Sequence, residues 1–266
     1  MKKAGLYPVV MLLVLAVWTC SLPHEPGPQP STIVETEFDS ALNVFGVLRL
    51  DGKINSSFFY IERTYQYQEL DTIAWDESFI PIITNATVSV RRLSDAKDYP
   101  FTYELDSLRG EIYTCDYFIP TAEETYALTV SHDDFRTVTD TTTVPAVPAL
   151  DADSVIVWGD MVYFQQRTAA DVYLYDIIML SSEDSLQYRF QNRDGATIPI
   201  AFQSTAPPEE SVDIQVYGYD ANLAEYLTTT ITLKPQTYNE TVTTVTGGYG
   251  VFGSVSVAAV TVPGAP

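Results

Sequence analysis

Between Asn43 and Val262, apolar side chains recur at every second position, the period at which a strand turns alternate residues to one face. In FTYELD, Phe101, Tyr103 and Leu105 fall on one face and Thr102, Glu104 and Asp106 on the other. TYALTVSH sets Tyr126, Leu128 and Val130 against Thr125, Ala127, Thr129 and Ser131. ATVSV sets Ala86, Val88 and Val90 against Thr87 and Ser89. NVFGVLRL, SSFFYIERTYQYQ, IYTCDYF and RTVTDTTTV bring the set to about seven strands, the complement of a small sandwich. Leu108-Arg109-Gly110-Glu111 reads as a turn, because Gly accepts positive φ. The stretch from Glu69 to Pro81, which holds Trp75, reads as an irregular loop.

Residues 141–154, TTTVPAVPALDADS, break the pattern: Pro145 and Pro148 end it, and Asp151 and Asp153 keep the segment wet. A second strand set follows. SVIVWGDMVYFQQ and DVYLYDIIML are apolar on both faces, whereas LQYRFQ alternates, with Leu186, Tyr188 and Phe190 inward. TIPIAFQ, VDIQVYGYD, LTTTITL and GVFGSVSVAAVTV complete the set. Only DANLAEYL, residues 220–227, suits a short helix, with Asp220 as its N-cap. The expected fold is all-β: two tandem antiparallel β-sandwiches, residues 41–145 and 146–266. In GGYGVFG, residues 247–253, the four glycines suit a tight reversal or a close backbone approach before the last strand.

The N-terminus obeys other rules. Lys2 and Lys3 precede an apolar run from Tyr7 to Trp18 that is too short to span a bilayer as a helix. Thr19 and Cys20 close it, and SLPHEPGPQPST follows with four prolines. This arrangement resembles a bacterial lipoprotein signal, residues 1–19, although Trp18 and Thr19 depart from the small residues usual there. The resemblance implies cleavage before Cys20 and lipid on its sulfur. Residues 20–40 would then form a semi-rigid proline tether between a membrane and the folded body. Ser21 is not the aspartate that resembles an inner-membrane retention signal, so the outer membrane is the expected address.

Charge and composition narrow the chemistry. The formal net charge is −21, which repels nucleic acid and argues against the body lying flat on anionic lipid. With Cys20 lipidated, Cys115 has no disulfide partner; it alternates with Tyr113 and Tyr117 and is expected to point inward. The two histidines are His24, in the tether, and His132, at a strand end beside Asp133 and Asp134. His132 could be a base oriented by a carboxylate, but an edge-of-core residue is the plainer reading. No nucleophile elbow, zinc pair or phosphate loop is present. The acidic pairs Asp133/Asp134, Asp151/Asp153 and Glu209/Glu210 match no calcium-loop spacing. No catalytic residue, metal or cofactor is therefore expected. The aromatics carry the remaining signal. Trp75 in its loop, and Tyr217 and Tyr219 on the face opposite Val212, Ile214 and Val216, are the candidate ligand-binding residues.

The lipidated cysteine, the run PTAEETYALTV at residues 120–130 and the terminal GGYGVFGSVSV at 247–257 together resemble an uncharacterised lipoprotein family of Bacteroidetes-type bacteria. That resemblance implies an Ig-like or transthyretin-like domain followed by a fibronectin type III-like one, often encoded beside TonB-dependent outer-membrane receptors. It supplies no catalytic residues. The expectation is a non-enzymatic envelope lipoprotein, an accessory or binding module for an outer-membrane transport protein. The alternatives are a glycan-binding surface lipoprotein and a structural or adhesion protein.

Overall fold

The computed structural model describes residues 40–64, 81–182, 184–192, 195–208, 210–228 and 243–264. Cys20, the tether, Trp75, Tyr65 and Tyr67 lie outside them, as does the LTTTITL run from Thr229 onward. The first region holds β1 (Leu42–Leu50), β2 (Phe58–Arg63), β3 (Thr87–Arg92), β4 (Lys97–Asp106), β5 (Gly110–Thr114), β6 (Thr125–His132) and β7 (Phe135–Thr143). The second holds β8 (Ile156–Trp158), β9 (Met161–Arg167), β10 (Leu174–Leu180), β11 (Ser185–Gln191), β12 (Thr197–Gln203) and β13 (Ser211–Tyr219). Helix α1 (Ala221–Thr228) and the long strand β14 (Tyr249–Pro263) follow. The fold is all-β and sandwich-like, as the alternation predicts.

Eleven strands form one sheet in the order β11-β10-β13-β14-β1-β2-β5-β4-β3-β6-β7, and β12-β9-β8 form a smaller one. The large sheet curls over itself: Thr139 of β7 pairs with Thr246, just before β14, although six strands separate β7 from β14 in the order. Strand β14 pairs antiparallel with β13 from Ser211↔Pro263 to Tyr219↔Val255. Its first half pairs with β1 from Asn43↔Tyr249 to Leu50↔Ser256, and this ladder is parallel. The expected sandwiches were antiparallel throughout. Alternation reports which face a side chain takes and carries no information on strand direction.

Two cores result. The first gathers Leu42, Val44, Phe59, Ile61, Phe101, Tyr113, Phe118, Tyr126 and Val138 with Phe252 of β14. Its rings meet edge to face: Phe59–Phe101 at 4.9 Å, Tyr99–Phe118 at 4.8 Å and Phe118–Tyr126 at 5.6 Å between centroids. The second, between the small sheet and β10/β13/β14, is mainly aliphatic: Val162, Ile177, Met179, Ile200, Ile214 and Val216, with Val262 from β14. Each core contains a buried tyrosine that accepts a backbone N–H from a few residues upstream. Tyr126 takes that of Thr121 (3.0 Å) and Tyr175 that of Ala169 (2.8 Å), the device of a tyrosine corner.

Some inward expectations fail at element ends. Leu105 is 76% exposed, because the far end of β4 pairs with β5 beyond the core. Tyr117 is exposed too: the chain turns after Thr114, with Phe118 N–H donating to Cys115 O, so Phe118 takes the core position. Cys115 is buried, as expected. Tyr188 faces solvent on β11, a strand at the edge of the sheet.

Candidate functional site

Helix α1 follows directly from β13 and packs on the outer face of β14. Leu223 meets Val47, Val251 and Val255, with Phe45, Tyr217, Tyr219 and Tyr226 around them. Asp220 caps the helix as the sequence predicts: its Oδ1 accepts Leu223 N–H at 3.0 Å. Gly253 makes the approach possible, since a Cβ there would sit 2.6 Å from Leu223 Cγ and 2.8 Å from Asp220 Oδ1. The other Asp220 oxygen accepts from Thr142 Oγ1. Thr142 Oγ1 lies 2.9 Å from Ser254 Oγ, which donates to Thr143 O. Each hydroxyl has one proton, so an ionised carboxylate leaves the Thr142–Ser254 contact without one, and a protonated acid supplies it. Burial also pushes the Asp220 carboxyl up, to about 6.

The tyrosines picked out in the sequence, Tyr217 and Tyr219, share the outer face of β13 and are half-buried beside α1. Tyr217 donates to Gln215 Oε1 at 2.6 Å, and the Arg49 guanidinium lies 5.4 Å from its ring centre. Tyr219 donates to Asp176 Oδ2 at 3.2 Å. Arg189 grips both oxygens of the buried Asp176 at 2.6 Å, a two-pronged pair that raises the guanidinium pKa further. Burial, with the nearby Asp176 carboxylate second, raises the Tyr219 phenol well above its ordinary range, so it stays a neutral donor. Both tyrosines are thus engaged by the protein itself.

Opposite Tyr219 on the neighbouring strand is Leu174, paired in turn with Gln191. These two open into a groove of about 460 Å³ between β10/β11 and α1, walled by Tyr173 and Asn192 on one side and Glu225 and Thr228 on the other. That volume falls within the ~300–1,000 Å³ range of small-ligand sites. Tyr173 is 55% exposed. A stiff turn displays it: Asn192 Nδ2 donates to Ala169 O and Val172 O, both at 2.5 Å, and Ala169 N–H is held by Tyr175. Two carbonyls fix which way the Asn192 amide lies, and its buried Oδ1 has no partner.

A family model described as a domain of unknown function (DUF4249) matches residues 31–261. The chain belongs to this family. No curated protein matches it. Among solved structures, the chicken interferon gamma receptor alpha chain matches at 9% identity with a TM-score of 0.23, over 68% of this chain and 90% of the receptor chain.

The sequence reading of this face missed Tyr173. It sits in DVYLYDIIML, where Val172, Leu174, Tyr175, Asp176 and Ile177 are all buried, so alternation could not separate it from its neighbours. It also missed Trp158, 76% exposed, which with Ile156 and Tyr163 faces solvent from the small sheet. The only signal for these was that SVIVWGDMVYFQQ is apolar on both faces while the small sheet buries one. His132 bridges loops: its Nδ1 accepts Asp134 N–H at 3.1 Å and its Nε2 lies 3.0 Å from Asn85 Oδ1. Among the described residues no three His, Cys, Asp or Glu side chains gather as metal ligands.

Proposed function

We propose that this DUF4249 protein is a non-enzymatic, lipid-anchored envelope protein that serves as an accessory or binding module, with an outer-membrane transport protein of the TonB-dependent class as its partner. The observation that carries the reading is the lysine-led apolar run that ends at Cys20 and gives way to four prolines. Lipid on Cys20 anchors the chain, and the tether holds the β-sandwich body off the bilayer. The body would then present its loops and sheet faces to the partner.

The test is purification of the full chain, tagged at its C-terminus, from its native membrane, beside the Cys20→Ser variant. The reading expects the wild-type protein in the membrane fraction with a stoichiometric transport protein, and the variant released. Membrane association that survives the substitution removes the anchor, and a protein that purifies alone removes the accessory role.

A second reading, a glycan-binding lipoprotein, is favoured by the groove, which combines an exposed phenol ring with side-chain amides.

A further inference from the structure

We infer that the groove between α1 and β10/β11 binds a neutral saccharide, with Tyr173 as the stacking platform and Gln191 as the main hydrogen-bonding group. This deepens the second, glycan-binding reading and rests on it. The lining decides the ligand class. Tyr173 offers an apolar ring face held by a turn that is already fixed, so little freedom is lost when a sugar ring lies on it. The amide of Gln191 both donates and accepts, as sugar hydroxyls do. Thr228 adds a hydroxyl oxygen on the opposite wall. Thr228 Oγ1 donates to Ala224 O at 2.7 Å, which leaves its lone pairs for a ligand hydroxyl.

Other ligand classes fit less well. Among the described residues no lysine or arginine lines the groove, so on a chain of formal charge −21 an anion finds no cationic side chain there. Gln191, Asn192, Glu225 and Thr228 interrupt the apolar surface of the lining, which disfavours a lipid tail. Tyr217 and Tyr219 stand behind the site: Tyr219 and Arg189 fix Asp176, in the strand that supplies the Leu174 floor. The sugar-contacting aromatic is Tyr173.

The experiment uses the full chain in detergent, probed with an array of neutral oligosaccharides (maltohexaose, cellohexaose, xylohexaose and mannohexaose) and with polygalacturonate as the anionic comparison. Positive sugars are then titrated by calorimetry. The expected result is binding to at least one neutral oligosaccharide, weakened about tenfold or more by Tyr173→Ala and by Gln191→Ala. Tyr173→Phe should retain most of the affinity, and Trp158→Ala should leave it unchanged. Tyr173 and Gln191 are exposed, so unchanged thermal unfolding will show that the variants fold. Binding to polygalacturonate alone, to no neutral sugar, or equally well with Tyr173→Ala overturns the assignment. None of these results moves the Cys20 membrane test, so the site and the anchor can fail separately.

Discussion

The two halves of the molecule solve the same packing problem with different side chains. The first core is a mesh of rings, in which Phe59 contacts Phe101 at 4.9 Å and stacks with Phe252 at 5.8 Å. The second is filled mostly by valine, isoleucine and methionine and is closed on one side by only three short strands. Both use buried tyrosines to tie loops to strands. The difference lies at the surface. The second half carries most of the exposed aromatics, Tyr173, Trp158, Tyr163 and Tyr188, together with the groove, whereas the rings of the first half, Tyr117 apart, are mostly turned inward. Rings in a core stabilise it by area and edge contacts; rings on a stiff surface are available to a ligand.

The largest effect should come from removing a ring. Phe59→Ala is expected to cost about 3–5 kcal/mol in urea unfolding, because its neighbours are rigid rings that cannot collapse into the space. Phe202→Ala in the second core should cost less, since aliphatic side chains at the edge of a three-stranded sheet can relax. Equal losses would mean that the two cores do not differ mechanically.

Asp220 tests what joins the halves. Its folded pKa, about 6, lies above the ordinary value of 3.8. The folded state therefore binds the proton more tightly. The stability this gives is fully present below about pH 4 and is lost as pH rises through about 6, to a limit of ~3 kcal/mol. Asp220→Asn keeps the helix cap and removes the titration. The stability difference between wild type and variant should shift toward wild type as pH falls from 7 to 4. A difference that is constant over that range would show that the carboxyl does not titrate there.

Gly253→Ala should cost ~1–3 kcal/mol by forcing α1 off β14. A variant as stable as wild type would show that the helix is loosely held. Smallest are Tyr126→Phe and Tyr175→Phe, each expected to lose about 1 kcal/mol by leaving a backbone N–H without its acceptor. The prediction is that the two losses match. A much larger loss at Tyr126 would extend the contrast between the cores to their loops.

Much of this fold was legible in the sequence for a local reason. Alternation located the strands, and the Asp220 cap located the helix to within a residue, because both are set by near neighbours. The inward Cys115 was legible too, although the turn at 115–118 that buries it was not. The parallel ladder between β1 and β14 was hidden, since nothing local in NVFGVLRL or GVFGSVSV specifies a partner so distant. For the candidate site, alternation put Tyr217 and Tyr219 on one face of β13, and the structure sets that face beside α1. Their hydroxyls are consumed by Gln215 and Asp176, and the ring that reaches the groove lies across the sheet on Tyr173.

Strand β14 has a consequence for how the molecule comes into being. Its partner β1 lies about two hundred residues earlier in the chain. During synthesis the first half therefore emerges with Leu42, Val44 and Phe59 lacking the neighbour that seals them, Phe252. Neither half can finish alone, so the nascent chain stays open, sticky and dependent on protection until its last strand arrives.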